Sequence, residues 1–243
     1  MSAGPDSAGG RAALADIYDV ALFDLDGVLY AGTAPIEHAA EAVAAARAHG
    51  LRPVFVTNNA SRTAPEVVDL LGRVGVPAQP AEVATSAQAA AHLLAGRLPA
   101  AARVLVCGSD ALRGEIRAVG LTPVGTAGED PIAVVQGYDA GVGWRELAEA
   151  TVAVRRGAWW VATNADLTLP SPRGPLPGNG ALVQVVAVAS GRYPVVAGKP
   201  EPTMHREAMA RAGAGRALVV GDRLDTDILG ANRVGCDSLL VRT

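Results

Sequence analysis

The stretch VALFDLDGV, residues 20–28, is the clearest indicator of the fold, because an apolar run ends in two closely spaced aspartates. The run from Val20 to Phe23 is typical of a strand buried inside a sheet. A second apolar run, residues 53–56, ends in Thr57, Asn58 and Asn59. The two stretches predict neighbouring parallel strands whose carboxyl ends carry polar side chains.

The rest of the chain alternates short apolar runs with longer alanine-rich segments, as expected for βα units around a parallel sheet. In the first part the predicted helices are 36–49, 65–71 and 83–95. From Arg103 the pattern starts again, with strands 104–106, 132–135 and 159–162, helices 111–119, 144–154 and 181–189, and a Pro- and Gly-rich loop over 166–179. The last segment predicts strands 195–197, 217–220 and 238–241 and helices 203–212 and 224–234.

This arrangement predicts an α/β protein whose core domain is interrupted by an inserted domain. The predicted divisions are a disordered tail over 1–18, a first core segment over 19–91, an inserted domain over 92–193 and a second core segment over 194–243.

Composition excludes several classes of protein. The chain has 243 residues, of which 50% are hydrophobic and 19% charged, so it can bury a full core. The net charge of -3 argues against nucleic acid or an anionic membrane as the main partner. We find no signal-peptide pattern or membrane span, and the two cysteines lie far apart, which together predict a cytoplasmic protein. The four histidines have no metal-ligand spacing and are expected on the surface.

Polar residues follow four of the predicted strands: Asp24 and Asp26, residues 57–59, Lys199, and residues 222–227. Each could be only a helix cap or a turn residue. Together, however, the aspartates would crowd one sheet edge, where ligands bind in open α/β sheets. A carboxylate pair at 4 Å costs on the order of 4 kcal/mol at an effective dielectric of 20. A cation is therefore expected among them.

Two cations can fill that role. Lys199 is the only lysine, although arginine is common in the chain, and a lone lysine could also be a chance survivor. An all-oxygen cluster suits Mg²⁺, which prefers carboxylates, waters and phosphate oxygens. Carboxylates, Mg²⁺, a lysine and a Thr-Asn turn are the parts needed for phosphoryl transfer.

Four motifs in order resemble those of the haloacid dehalogenase-like (HAD) phosphatase superfamily: DLDGV at 24–28, TNN at 57–59, GKP at 198–200 and GDRLDTD at 221–227. The resemblance is closer to the large-cap subfamily of 4-nitrophenyl phosphatase-like, phosphoglycolate, pyridoxal phosphate and glycerol 3-phosphate phosphatases. Segments similar to that subfamily's are TSA at 85–87, GYD at 137–139, TNAD at 163–166 and PGNG at 177–180. The resemblance implies a Rossmann-like parallel-sheet core with an inserted α/β cap.

The resemblance also implies roles for individual residues. Asp24 would attack the phosphorus, and Asp26 would serve as general acid and base. Mg²⁺ would be held by the carboxylates of Asp24 and Asp222 and by the Asp26 carbonyl, with Asp227 orienting a bound water or the lysine. The phosphoryl group would be held by Thr57, by the Asn58 N–H and by Lys199, which also neutralises the nucleophile. Asp225 is expected to cap the helix that follows it.

The implied reaction is Mg²⁺-dependent hydrolysis of small phosphate monoesters such as glycerol 3-phosphate or phosphoglycolate, with pyridoxal phosphate and nucleoside monophosphates as alternatives. A cap over the site implies a small phosphorylated metabolite as substrate, and Asn164 and Asp166 are expected to face its leaving group. A homodimer through the cap is a further expectation. A phosphomutase, a non-enzymatic phospho-acceptor and a silent binding module remain competing hypotheses.

Overall fold

The computed structural model of the chain describes residues 13–171, 173–213 and 215–243. The disordered tail predicted over 1–18 lies mostly outside the described residues. Its described end is not disordered, because residues Leu14–Ile17 form one helical turn in which the Asp16 carboxylate accepts a hydrogen bond from the Ala13 N–H at 2.8 Å. The prediction is wrong for this turn.

Strands and helices are numbered in chain order. The strands are β1 (Val20–Asp24), β2 (Tyr30–Ala31), β3 (Ala34–Pro35), β4 (Arg52–Thr57), β5 (Val83–Thr85), β6 (Arg103–Cys107), β7 (Thr122–Val124), β8 (Ala133–Gln136), β9 (Trp159–Ala162), β10 (Thr168–Leu169), β11 (Leu176–Pro177), β12 (Val195–Val196), β13 (Ala217–Gly221) and β14 (Asp237–Leu240). The α-helices are α1 (Leu14–Ile17), α2 (Ala39–Ala48), α3 (Ala64–Arg73), α4 (Ser86–Ala95), α5 (Asp110–Ala118), α6 (Trp144–Arg155), α7 (Asn179–Ser190), α8 (Pro202–Ala212) and α9 (Leu229–Val234).

The first sheet confirms the strands predicted at both ends of the chain. It has five parallel strands in the order β14-β13-β1-β4-β5. Strand β1 lies between β13 and β4, with Leu22 opposite Val219 on one side and Val54 on the other. The carboxyl ends of the three strands therefore meet at one edge, and the polar residues that follow them come together there.

The second sheet is also parallel and has the order β12-β9-β8-β6-β7. Four of its strands come from the predicted insert. The exception is β12, which the sequence pattern assigned to the core segment 194–243, but which pairs with β9, Val195 opposite Val161. That assignment is wrong, because an apolar run indicates a strand but carries no information about its partner.

Four other parts of the chain differ from the sequence predictions. The helix predicted over 83–95 begins as a strand, and α4 starts only after Thr85, whose hydroxyl accepts from the Gln88 N–H as a helix cap. The helix predicted over 224–234 opens with a π-helical turn, Leu224–Ile228. The short strand β7 and the hairpin β10–β11, which lies inside the predicted loop, were not anticipated.

The two sheets share a continuous apolar interior. One cluster of buried side chains contains Leu22 and Val54 from the first sheet and Val104 and Val135 from the second, with alanines of α4 between them. Burial of this kind is worth about 25 cal/mol per Å² of apolar surface, so the junction stabilises both sheets. Within the described residues, no helix has the length and apolar character needed to cross a bilayer.

Candidate active site

The candidate site lies at the carboxyl edge of the first sheet. Asp24 is the last residue of β1, Thr57 is the last residue of β4, and Asp222 directly follows β13. Lys199 lies in the segment that follows β12 of the second sheet. Both sheets therefore contribute to the site.

Lys199 occupies the centre of the charged groups. Its side chain is 4% exposed, and its Nζ lies 2.5 Å from Asp24 Oδ1 and 2.6 Å from Asp227 Oδ1. Burial by itself would lower the pKa of the ammonium group, but the carboxylates of Asp24 and Asp227 raise the pKa above its usual value. The lysine is therefore held as a cation.

One lysine does not neutralise the carboxylates around it. Oxygens of Asp24, Asp222 and Asp227 all lie within 4.8 Å of one another. Burial raises the pKa of Asp24 to about 6, although Lys199 opposes the shift. Burial and the nearby Asp227 also raise the pKa of Asp222. The three carboxylates thus repel one another in the folded protein.

This cluster fits a divalent cation. Asp222 Oδ1 is buried and has no hydrogen-bond partner among the described residues. An unpaired buried carboxylate oxygen is costly, and coordination by a hard cation is one way to satisfy it. The predicted ligands were the carboxylates of Asp24 and Asp222 and the Asp26 carbonyl. The two carboxylates do lie together, and that of Asp227 lies beside them.

Two glycines make room for these side chains. A Cβ at Gly27 would lie 2.2 Å from Asp222 Oδ2, and Gly27 has a φ of +91°, which favours glycine. A Cβ at Gly221 would lie 2.2 Å from the Cβ of Asp227. The glycines of the first and fourth motifs thus let the carboxylates approach the backbone closely.

The second motif begins at the last residue of β4, at the same edge, and its role in binding phosphate stays a prediction. Thr57 is buried, and its hydroxyl accepts from the Asn59 N–H at 3.1 Å. The Asn58 side chain is held by Lys199, since its Oδ1 accepts from the Lys199 N–H at 2.8 Å and its Nδ2 donates to the Lys199 carbonyl at 3.1 Å. The second and third motifs are therefore joined directly.

Asp26 lies outside the carboxylate cluster. Its residue is exposed, and its Oδ1 accepts from the Gly32 N–H at 3.2 Å. An exposed carboxyl two residues beyond Asp24 can exchange protons with solvent, which the predicted general acid and base needs. That role stays a prediction.

The two residues expected to face a leaving group make hydrogen bonds inside the protein. Asn164 is 5% exposed, its Nδ2 donates to the Asn58 carbonyl at 2.7 Å and its Oδ1 accepts from the Asp166 N–H at 3.2 Å. Asp166 accepts from Asn58 Nδ2 at 3.0 Å and pairs with Arg223 at 3.2 Å. Both residues thus connect the second sheet to the candidate site.

Sequence reasoning missed three contributors and misplaced two residues. Arg223 pairs with Asp225 at 2.8 Å, so Asp225 binds this arginine instead of capping the helix. Ser86 Oγ donates to the Asn58 carbonyl at 2.6 Å, and Asn179 Nδ2 donates to the Asn164 carbonyl at 2.8 Å. Arg223, Ser86 and Asn179 each lie within a quoted motif, and motif membership was the one sign in the sequence that they could contribute.

His205 is buried, although all histidines were expected on the surface.

A groove of about 670 Å³ adjoins the second motif. It is lined by Ser61 and Thr63, which follow the second motif, and by Ser109 and Asp139, which follow β6 and β8 of the second sheet. Most of the other lining residues belong to the start of α3 and to α5, so the groove lies between these two helices.

Comparison with known proteins agrees with this geometry. Residues 21–122 match the family described as haloacid dehalogenase-like hydrolase, and residues 196–243 match a second HAD-hydrolase-like family. A D-glycerol 3-phosphate phosphatase of Mycobacterium tuberculosis is 51% identical over 95% of this chain, and the chain spans 64% of that protein's length. A 5′-nucleotidase of Bacillus subtilis is 40% identical over 91% of this chain and 86% of its own length.

A solved structure is similar as well. The crystal structure of a glycerol phosphate phosphatase from Mycobacterium tuberculosis in complex with magnesium is 52% identical, with a TM-score of 0.90 over 93% of this chain and 68% of that one. The ordered motifs, the two parallel sheets and the buried Asp-Lys-Asp arrangement thus have one common explanation: the chain belongs to the haloacid dehalogenase-like hydrolase family.

Proposed function

We propose that the protein is a Mg²⁺-dependent phosphatase that hydrolyses small phosphate monoesters through an aspartyl-phosphate intermediate. One observation carries the proposal: the Asp24 carboxylate lies at the sheet edge, 2.5 Å from the ammonium group of a buried lysine, inside a cluster of three carboxylates. The names of the mycobacterial and Bacillus relatives support it.

Asp24 supplies the nucleophile. One of its oxygens bonds to phosphorus as the bond between phosphorus and the ester oxygen breaks. Asp26 gives a proton to the leaving alkoxide and then takes one from the water that attacks the phosphorus of the intermediate. That water releases inorganic phosphate and restores the Asp24 carboxylate. Lys199 keeps Asp24 ionised at the start of the cycle, although burial raises its pKa to about 6.

The oxygens of the phosphoryl group need donors of their own. Thr57 and the Asn58 N–H would donate to them, and Lys199 would balance the charge that develops there. Mg²⁺ would be held by Asp24 and Asp222, with Asp227 beside them and the Asp26 carbonyl as a further ligand. When bound, it would neutralise the carboxylates and polarise the phosphoryl group.

Glycerol 3-phosphate is the substrate we favour, because the mycobacterial relative with 51% identity carries that name. A nucleoside monophosphate is the second candidate, favoured by the 5′-nucleotidase relative. Phosphoglycolate and pyridoxal phosphate belong in the same test panel.

Phosphate release from these esters tests the proposal. Purified protein is assayed with Mg²⁺ and with EDTA, together with Asp24→Asn and with Asp139→Asn, which removes a charge from the second sheet's loop. Turnover should require Mg²⁺, fall by at least about 10³-fold in Asp24→Asn and persist in Asp139→Asn. If the folded protein binds Mg²⁺ but releases no phosphate from any ester, a phospho-acceptor or binding role replaces the enzyme.

The cap is also the proposed dimer interface. Helix α7 exposes Val185 and Val188, at 50% and 84% of their surface, and Tyr193 beyond it is 79% exposed. Apolar surface of this kind is typical of protein contacts. Light scattering should give twice the monomer mass, and Val188→Glu should return the monomer; a monomeric wild-type protein would refute the interface.

A further inference from the structure

Asp166 is held from two directions by residues of the candidate active site. It follows β9 in the second sheet, and its side chain is 21% exposed. Its Oδ2 accepts from Asn58 Nδ2 at 3.0 Å, and its Oδ1 lies 3.2 Å from Arg223 Nη1. Each oxygen therefore has a partner in a motif of the first sheet.

The first connection runs to the backbone of Lys199. The Asn58 side chain lies between Asp166 and Lys199, with its Oδ1 bound to the Lys199 N–H and its Nδ2 shared between Asp166 and the Lys199 carbonyl. The Asn58 carbonyl is fixed as well, because it accepts from Asn164 and Ser86. Without Asp166, one proton of the Asn58 amide loses its acceptor.

The second connection runs to the Lys199 ammonium group. Arg223 pairs with Asp166 through Nη1 and with Asp225 through Nη2. The backbone N–H of Arg223 donates to Asp227 Oδ2 at 3.2 Å, and Asp227 Oδ1 in turn lies 2.6 Å from Lys199 Nζ. Asp166 is thus connected, through these neighbours, to both the backbone and the ammonium group of Lys199.

We propose that Asp166 is a positioning residue and does not select the leaving group. It fixes the position of the predicted phosphate-binding turn through Asn58, and that of the fourth motif through Arg223. A residue that selects substrates needs a polar atom free to face them, whereas both Asp166 oxygens have partners here. A positioning residue acts on the phosphoryl end, which all the esters share. The inference rests on the proposed phosphatase function for its kinetic readout.

The test compares two esters with different leaving groups, glycerol 3-phosphate and 4-nitrophenyl phosphate. Asp166→Ala removes both contacts, Asp166→Asn keeps one acceptor, and Arg223→Gln removes the charged partner. Asp139→Ala is the matched control, because Asp139 follows β8 as Asp166 follows β9 and its carboxylate accepts from Gly141 within its own loop, at 2.7 Å. Thermal melting verifies that each variant is folded.

Asp166→Ala should lower kcat roughly 10- to 100-fold for both esters, the usual range for residues behind the reacting groups. The ratio of kcat/KM between the two esters should stay within about twofold of wild type, and Asp166→Asn should lose less. The double variant Asp166→Ala with Arg223→Gln should be little worse than the poorer single variant, because the two residues act as one unit. Asp139→Ala should behave as wild type.

A change of more than about tenfold in the ratio between the esters, with kcat retained, would overturn the proposal and make Asp166 a specificity residue. An unchanged kcat for both esters would also overturn it.

Binding of inorganic phosphate in the presence of Mg²⁺, measured by calorimetry, provides a readout that does not need turnover. Its Kd should rise about tenfold in Asp166→Ala and stay within twofold in Asp139→Ala. Equal affinity in wild type and Asp166→Ala would refute the positioning role. If wild type binds phosphate but hydrolyses no ester, the proposed function fails, and the phosphate affinities alone decide the role of Asp166.

Discussion

The two parallel sheets have the same number of strands but differ at their carboxyl edges. The edge of the first sheet carries Asp24, Asp222 and Asp227 around Lys199. The edge of the second sheet carries uncharged polar residues, such as Gln136 at the end of β8 and Thr163 after β9, both fully buried. The two edges therefore differ in the charge clustered at them, and the candidate active site lies at the charged one.

The clustered charge lowers the stability of the folded state only at the edge of the first sheet. Three carboxylates within 4.8 Å destabilise the folded state unless cations balance them. Gln136 and Thr163 also have side-chain atoms without a hydrogen-bond partner among the described residues, but these atoms carry no charge. Substitutions at each edge test whether this difference in charge matters.

Lys199→Met should have the largest effect. It leaves Asp24 and Asp227 without their shared cation, so phosphate release should fall by at least about 10³-fold. The free energy of unfolding in EDTA should fall by about 3–5 kcal/mol, the usual loss for a buried charge deprived of its partner. Urea titration measures the loss.

Arg216→Met is the control for that experiment, because the Arg216–Asp237 pair has side chains 58% and 53% exposed. An exposed pair contributes little to stability, because water screens its charges. Equal losses of stability in the two variants would show that burial of the charge does not distinguish the first edge.

Asp222→Asn should have the next largest effect. It removes the unpaired carboxylate, so the increase in melting temperature caused by Mg²⁺ should disappear and turnover should fall roughly 10²-fold or more. In EDTA the variant should melt at or above the wild-type temperature, because a repulsion is gone. A normal Mg²⁺ response in Asp222→Asn would exclude this residue as a ligand.

Gly27→Ala tests whether glycine is needed at this position for the close approach of Asp222 or only for the positive φ. Both Gly27 and Gly120 have positive φ, +91° and +79°, but a Cβ at Gly120 would meet nothing within 4 Å. Each alanine should cost about 1 kcal/mol in unfolding free energy. Only Gly27→Ala should also weaken Mg²⁺ binding, about tenfold, because it displaces Asp222. Similar Mg²⁺ affinities in Gly27→Ala and Gly120→Ala would contradict this.

His205 should make stability depend on pH near the first edge. Burial and the charge of Lys199 lower its pKa to about 4 from an ordinary value of 6.5. As the pH falls from 6.5 towards 4, the unfolded chain binds the proton first, so stability is lost in that window, by up to about 3 kcal/mol. The measurement is urea denaturation of wild type and His205→Gln at pH 7 and 4.5. A constant difference between the two proteins would rule out this titration.

Gln136→Met should have the smallest effect and tests the second edge. Replacing a buried amide whose side-chain atoms have no partner should leave stability unchanged or raise it by about 1 kcal/mol. Turnover should match wild type. A tenfold loss of activity would show that the second edge takes part in the chemistry.

Most of the fold could be predicted because apolar periodicity records burial. Strand β9 was predicted with its observed bounds, and β1 and β13 to within one residue. The prediction failed where neighbours decide the conformation. At Val83–Thr85 the chain reads as helix from composition, yet pairing of Phe55 with Val83 holds it extended.

The candidate site shows the same division. Asp24, Thr57, Lys199 and Asp222 could be named because strand ends and motif spacing mark them. The role of Arg223 could not be predicted, because it depends on the ion pair with Asp166, 57 positions away in sequence. Asp227 was expected to orient a bound water or Lys199, and its pairing with Lys199 Nζ at 2.6 Å appears only in the folded chain.

The class of fold, the family and the polar residues at the sheet edge could be inferred from the sequence, because burial periodicity and motif order are local properties of the chain. The folded structure was needed to show which carboxylates meet, which sheet contains Val195–Val196 and which partners Asp166 binds. These depend on contacts between residues far apart in the chain, and their geometry is set when the two sheets pack on a shared interior.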